Sequence, residues 1–169
     1  IDIFNNKLVT EDNGPNLGVY MPMGFAAGKV VNIINNKITV TGNVTAKNSN
    51  WALISGVEVQ AGTANIYGNE ITVVNKAGYN ESYCVAGVSM YQDGYKTVVF
   101  DVQNNTITTN SLYTVYIPNG KVANVTGNIL YAQDLFGDAS VKSTISGVVE
   151  LNMPPFEPEI IVTAGGWSG

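Results

Sequence analysis

The chain has 169 residues, 45% of them apolar and only 12% charged, with a net charge of −5. It contains no His and no Arg, and Cys84 is its one cysteine. That composition removes the usual general base and imidazole metal ligand, the guanidinium clamp for carboxylates and phosphates, any internal disulfide, and the cationic footprint that duplex nucleic acid requires.

No stretch is long and apolar enough to cross a bilayer, and an acidic, Asn-rich surface argues against attachment to anionic lipid. The first residue is Ile1 rather than Met, so the chain reads as an excised segment whose targeting information lies elsewhere.

Taken in chain order, one phrase recurs five times: Ile3-Phe4-Asn5-Asn6-Lys7-Leu8, Ile33-Ile34-Asn35-Asn36-Lys37-Ile38, Ile66-Tyr67-Gly68-Asn69-Glu70-Ile71, Val102-Gln103-Asn104-Asn105-Thr106-Ile107 and Val125-Thr126-Gly127-Asn128-Ile129-Leu130. Apolar residues stand three before each second Asn and two after it. Thr10, Val40, Val73, Thr109 and Ala132 stand four after it. Period-two alternation on both sides marks half-buried strands. The Asn or Gly before each ladder Asn suits the left-handed conformation of a sharp bend, so the phrase predicts strand, two-residue corner, strand.

Between these phrases lies a second pattern. It reads Gly18-Val19-Tyr20-Met21-Pro22, Gly56-Val57-Glu58-Val59-Gln60, Gly87-Val88-Ser89-Met90-Tyr91 and Thr114-Val115-Tyr116-Ile117-Pro118, with a further copy expected at Gly147-Val148-Val149-Glu150-Leu151. This is a third strand per repeat. No run shows helical periodicity.

The invariant asparagines Asn6, Asn36, Asn69, Asn105 and Asn128 are separated by 30, 33, 36 and 23 residues. Fixed-length solenoids do not vary so. A right-handed parallel β-helix does, because its strands stack while its loops bulge outward. The expectation is an all-β solenoid of three sheets and about five coils over residues 1–151, with an asparagine ladder at one corner. Residues 152–169, which hold Pro154, Pro155 and Pro158, read as a linker, a C-terminal cap or an edge strand. Inward-stacked amides would bond along the axis; the weaker alternative is a set of exposed turn asparagines.

These asparagine-cornered coils resemble the right-handed parallel β-helix superfamily, whose best-known members act on or bind polysaccharides. The repeated Asn-Asn-x-Ile phrase, the Asn content and the missing Arg resemble, more narrowly, adhesin-like surface proteins of methanogenic archaea. The resemblance implies a secreted or cell-surface, non-catalytic structural or adhesive module that binds a polysaccharide or cell-wall glycan. The other reading is a carbohydrate-active enzyme of the pectin-lyase-like group. Against it, the superfamily's lyases typically use Arg or Lys with acidic calcium ligands, and its hydrolases use clustered Asp with His nearby.

Candidate binding residues follow from stacking the third strands. Tyr20, Glu58, Gln60, Ser89, Tyr91 and Tyr116 would gather on one outward face, offering aromatic rings, amides and a carboxylate to a sugar. Loops 46–55 and 76–83 are the competing occupants of that face. Trp51, Tyr79 and Tyr83 lie in the longest excursions, where recognition is often housed. Asp134 and Asp138 could ligate calcium weakly, with a solvated loop the plainer reading. No catalytic residue, metal site or cofactor is expected, and Cys84 is expected to fill a core slot. Asn43, Asn80, Asn104 and Asn124 each begin an N-glycosylation sequon, with Asn80 expected to be the most accessible. Open ends without capping helices raise the expectation of end-to-end self-association.

Overall fold

Apolar alternation on either side of a left-handed corner is enough to set two strands at an angle, and the chain does this five times. The computed structural model describes residues 1–26, 28–90, 98–117, 122–133, 139–140, 148–149, 162–163 and 166–167. The first strands of the coils are β1 (Asp2–Phe4), β4 (Val30–Ile34), β7 (Gly62–Tyr67), β10 (Val98–Gln103) and β13 (Val122–Thr126). Across the corner follow β2 (Lys7–Glu11), β5 (Lys37–Gly42), β8 (Glu70–Asn75), β11 (Thr106–Thr109) and β14 (Ile129–Gln133). The third strands are β3 (Asn16–Met21), β6 (Ile54–Val59), β9 (Val85–Met90) and β12 (Tyr113–Tyr116).

Within each of these three sets, neighbouring strands pair parallel and one coil apart. The fold is a right-handed parallel β-helix. The register matches the sequence phrase: Ile3, Ile33, Ile66, Val102 and Val125 align, as do Leu8, Ile38, Ile71, Ile107 and Leu130. These columns form the core. Ile33, Ile66, Ile71, Val102, Ile107, Val125 and Leu130 are fully buried, each contributing about 1.5–3 kcal/mol through its apolar surface.

Every corner residue before a ladder Asn has positive φ: 55° at Asn5, Asn35 and Asn104, 64° at Gly68 and 66° at Gly127. Asn and Gly are the residues that adopt this conformation at least cost.

Three expectations are corrected. One turn of helix, α1 (Met23–Ala26), interrupts the all-strand pattern. The copy at Val148-Val149 does not join the third sheet; as β16 (Val148–Val149) it pairs parallel with β13 in the first. Its alternation carries no information about which of three similar sheets it extends. β15 (Ala139–Ser140) pairs antiparallel with β14, ending the parallel order of the second sheet. Beyond them, β17 (Val162–Thr163) and β18 (Gly166–Trp167) form an antiparallel pair. Residues 150–161, including the proline cluster, lie outside the described residues.

The third strands contain a change of phase. Ile54, Val57 and Val59 all belong to the core although Ile54 and Val57 are three residues apart. The paired register passes from Leu17–Ser55 to Val19–Val57 and from Ser55–Ala86 to Val57–Val88, skipping Gly18, Gly56 and Gly87. A Cβ on Gly56 would lie 2.3 Å from Ile71 Cγ2 and 2.7 Å from the Gly87 carbonyl oxygen. Only glycine lets the third sheet come this close to the second.

Candidate functional site

The asparagine ladder is continuous and directional. From Asn6 onward, each residue donates its backbone N–H and its Nδ2 to Oδ1 of the ladder Asn one coil later, over 2.8–3.2 Å, until Asn105 donates to Asn128. Nδ2 of Asn36, Asn69, Asn105 and Asn128 also reaches the carbonyl of Ile3, Ile33, Ile66 and Val102 respectively. These four are buried; Asn6, in the first coil, is exposed. A second, shorter amide stack closes another corner. Asn110 Oδ1 accepts from the Asn75 N–H at 2.8 Å, and Asn75 Oδ1 from the Val44 N–H at 3.0 Å. The sequence phrase does not reveal that stack, because the two residues fall at different offsets from the ladder.

On the third-sheet face Tyr20 pairs with Glu58, Glu58 with Ser89 and Ser89 with Tyr116. It is not the open surface that was expected. Glu58, Gln60, Ser89 and Tyr116 are buried, and only Tyr20 is exposed; Tyr91 lies outside the described residues. Tyr83 stacks on Tyr116 with ring centroids 4.7 Å apart, and Tyr113 meets Tyr116 edge-on at 5.2 Å. The two long loops are laced together over this face. Asn80 Nδ2 bonds the Ala46 carbonyl at 3.0 Å, Tyr83 Oη bonds the Ser49 carbonyl, and Lys47 pairs with Glu81.

Beneath them Glu58 is fully buried. Ser89 Oγ donates to its Oε2, while Oε1 has no hydrogen-bond partner among the described residues. Burial drives its carboxyl well above the usual range, and the Ala52 N–H and Gln60 amide counter that only in part. Gln60 Oε1 also accepts from Tyr20 Oη at 3.0 Å. Tyr116 is pushed up to about 12, first by burial and then by its neighbours Tyr83 and Tyr113.

Asn80 is not an accessible acceptor. It is buried, and its Oδ1 accepts from both the N–H and the hydroxyl of Ser82. The exposed sequon asparagines are Asn43 and Asn104, and Asn124 is half-buried. Cys84 is buried, and its carbonyl accepts from Leu53 and Ile54. Trp51 is exposed, and Tyr79 is half-buried. Asp93, Asp134 and Asp138 lie outside the described residues; among the described residues no three acidic or Cys side chains cluster as metal ligands.

The open array lies on the first sheet. Asp2, Asn32, Asn65, Asp101 and Asn124 stand in register on its outer face, beside a parallel column of Phe4, Ile34, Tyr67, Gln103 and Thr126. All ten are exposed or half-exposed. Asn65 Nδ2 donates to Asn32 Oδ1 at 2.8 Å, and Asn32 Nδ2 to Asp2 Oδ1 at 2.7 Å. Asp101 accepts three bonds: from Tyr67 Oη at 2.5 Å, Gln103 Nε2 at 2.7 Å and Asn124 Nδ2 at 3.1 Å. Burial, then the bond to Asp101 and its charge, push the Tyr67 phenol up to about 12, so it stays a donor. Each member of the first column precedes its ladder Asn by four residues, so a legible signal was present in the repeat. The signal is polar and lies outside the apolar positions that mark the strands.

No family model, curated protein or solved structure matches this chain.

Proposed function

We propose that this β-helix is a non-catalytic structural or adhesive module of an exported, cell-surface protein, and that its first-sheet face binds an extended polysaccharide. The observation that carries the reading is the flat, open double column: amides and carboxylates in one row, Phe4, Ile34 and Tyr67 in the next. Sugar rings are held by stacking on apolar surface and by fixed hydrogen-bonding groups beside it. Asn65 Oδ1 accepts no bond from the described residues, so it remains available to a ligand hydroxyl. The hydrogen bonds along the column hold the side chains in place before binding, which lowers the entropic cost of association.

The carbohydrate-active-enzyme reading draws less support. Glycosidic hydrolysis needs two carboxyls about 5–9.5 Å apart. Asp2 and Asp101 on this face are separated by three strand spacings, roughly 14 Å. Placement at the cell surface, in the manner of archaeal adhesin-like proteins, rests on the asparagine-cornered repeat, and no helix among the described residues is long and apolar enough to cross a membrane.

A glycan array with soluble polysaccharides tests the proposal. The parent is expected to bind at least one extended glycan, and Asn65→Ala combined with Tyr67→Ala to weaken that binding roughly tenfold or more. A variant of Tyr20, Tyr20→Ala, is expected to bind as the parent does. Binding that survives the Asn65/Tyr67 change, or a parent that binds nothing, overturns it.

A further inference from the structure

The two loops over the third sheet, residues 44–53 and 79–83, are held differently from the coils beneath them. Neither loop pairs in a sheet before Ile54 or Val85, and residues 45–48, Asn50 and Trp51 are exposed. Of residues 44–53 only Val44 and Ala52 are buried. The fastenings are side-chain contacts: Asn80 to the Ala46 carbonyl at 3.0 Å, Lys47 to Glu81, and Tyr83 to the Ser49 carbonyl and the Tyr116 ring. A segment that buries so little apolar surface opens locally, at a free energy well below that of global unfolding.

This cover touches the buried carboxyl beneath it. The Ala52 N–H bonds Glu58, alongside the Gln60 amide and Ser89 Oγ. No described cation reaches the carboxyl, and its Oε1 has no partner among the described residues. The titratable groups on the elements around it are Tyr20 of β3, Tyr113 and Tyr116 of β12, and Lys47, Lys76, Tyr79, Glu81, Tyr83 and Cys84 of the loop segments; β9 brings Ser89, which does not titrate. Lys47 is paired with Glu81 and Lys76 with Glu11, and neither tyrosine nor cysteine supplies a positive charge. An anion enclosed there lacks both water and a counter-charge, so the closed loops favour the protonated acid. Once the loops lift, water solvates the carboxylate and the penalty vanishes.

We infer that residues 44–53 and 79–83 form a proton-coupled lid, closed over neutral Glu58 in acid and opening as Glu58 ionises, which uncovers the row of Tyr20, Glu58, Ser89 and Tyr116. Burial holds the closed-state carboxyl well above its ordinary value of 4.5. The closed state therefore binds one proton more than the open state between those two values. Its advantage is complete below about 4.5, and the opening equilibrium grows by up to tenfold per pH unit above it, until the closed-state value is reached. The asparagine ladder carries no ionisable group and takes no part.

Hydrogen exchange on the full chain between pH 4 and pH 8, divided by the intrinsic rate at each pH, tests the coupling. In the parent, the opening constant of residues 44–53 and 79–83 is expected to rise roughly tenfold or more across that range, with β5 and β8 changing little. In Glu58→Gln the same loops are expected to show no such rise. A pH-independent lid in the parent overturns the inference, and so does an equal rise in Glu58→Gln. A carbon NMR titration of the parent's own carboxyls needs no variant. It is expected to find Glu58 titrating well above 4.5, over the interval in which the loops lose protection; a Glu58 that titrates near 4.5 with the loops still protected overturns the inference.

Discussion

Asn69 gives both its backbone N–H and its Nδ2 to a single oxygen, Asn105 Oδ1, at 2.8 and 2.9 Å, while its own Oδ1 takes the same two donors from Asn36. One side chain therefore satisfies groups in the coil before and the coil after. Asn69→Ala strands the Asn36 N–H and the Ile33 carbonyl in the core. A cost of about 3 kcal/mol is expected, since each buried orphan costs roughly 1–3 kcal/mol. Asn6→Ala, at the exposed end, is expected to cost less than about 1 kcal/mol. Denaturant unfolding of both variants checks the contrast; equal losses would mean that position along the ladder is irrelevant.

Gly87 sits where the third strand changes phase, with the place for a Cβ 2.3 Å from Ile107 Cγ2 and 2.6 Å from the Thr114 carbonyl oxygen. The backbone contact cannot be relieved by a rotamer change. Gly87→Ala is expected to lose about 2–3 kcal/mol as overpacking, against the small gain that Gly→Ala gives at an unstrained strand position. Thermal unfolding compared with Gly24→Ala, where a Cβ meets nothing within 4 Å, isolates the effect.

Glu58 makes stability depend on pH in an unusual direction for an acidic residue. Its folded-state carboxyl is raised above the ordinary value of 4.5 by burial. The folded state then holds a proton that the unfolded chain releases, so the stabilising contribution is complete below about 4.5 and falls as pH rises toward the folded value. Glu58→Gln removes the titration and keeps the shape. The variant is expected to be more stable than the parent by about 1–2 kcal/mol at pH 8, with the gap closing toward pH 4. Melting temperatures of both proteins across that range measure it, and a gap that widens in acid would show the carboxylate to be paired.

Tyr83 is the hinge pin of the loops over the third sheet, stacked on Tyr116 and bonded to the Ser49 carbonyl. Tyr83→Ala is expected to cost about 2–3 kcal/mol, from lost aromatic burial and stacking. Exchange should quicken in residues 44–53 and 79–83 but not at the ladder corner. Protection lost evenly over the whole chain would contradict a local lid.

Asn80 and Asn43 offer a separate check in a host that glycosylates sequons. The Asn80 amide is committed to Ala46 and Ser82, so a glycan there is incompatible with this fold. Mass spectrometry of the folded product is expected to find modification at Asn43 and none at Asn80.

The ladder and its corners were legible because they are local. A positive-φ residue, an inward amide and flanking alternation occupy consecutive positions, and stacking merely repeats them; Asn35-Asn36 states its own conformation. The outer column at Asp2, Asn32, Asn65, Asp101 and Asn124 is equally periodic but carries no apolar marker. Burial of the third-sheet face was a different matter. Nothing within Val57-Glu58-Val59 tells whether Glu58 meets water, because that depends on where the loops through Ser49 and Tyr83 come to rest. Strand alternation and corner chemistry are properties of neighbours along the chain, and this sequence determined them by itself: coil, ladder and register. Which of three chemically similar faces is open, which strand of the last repeat joins which sheet, and that Asn80 is structural were decided only by packing between residues some 30 positions apart, where loop length leaves the outcome unconstrained until the coils have stacked.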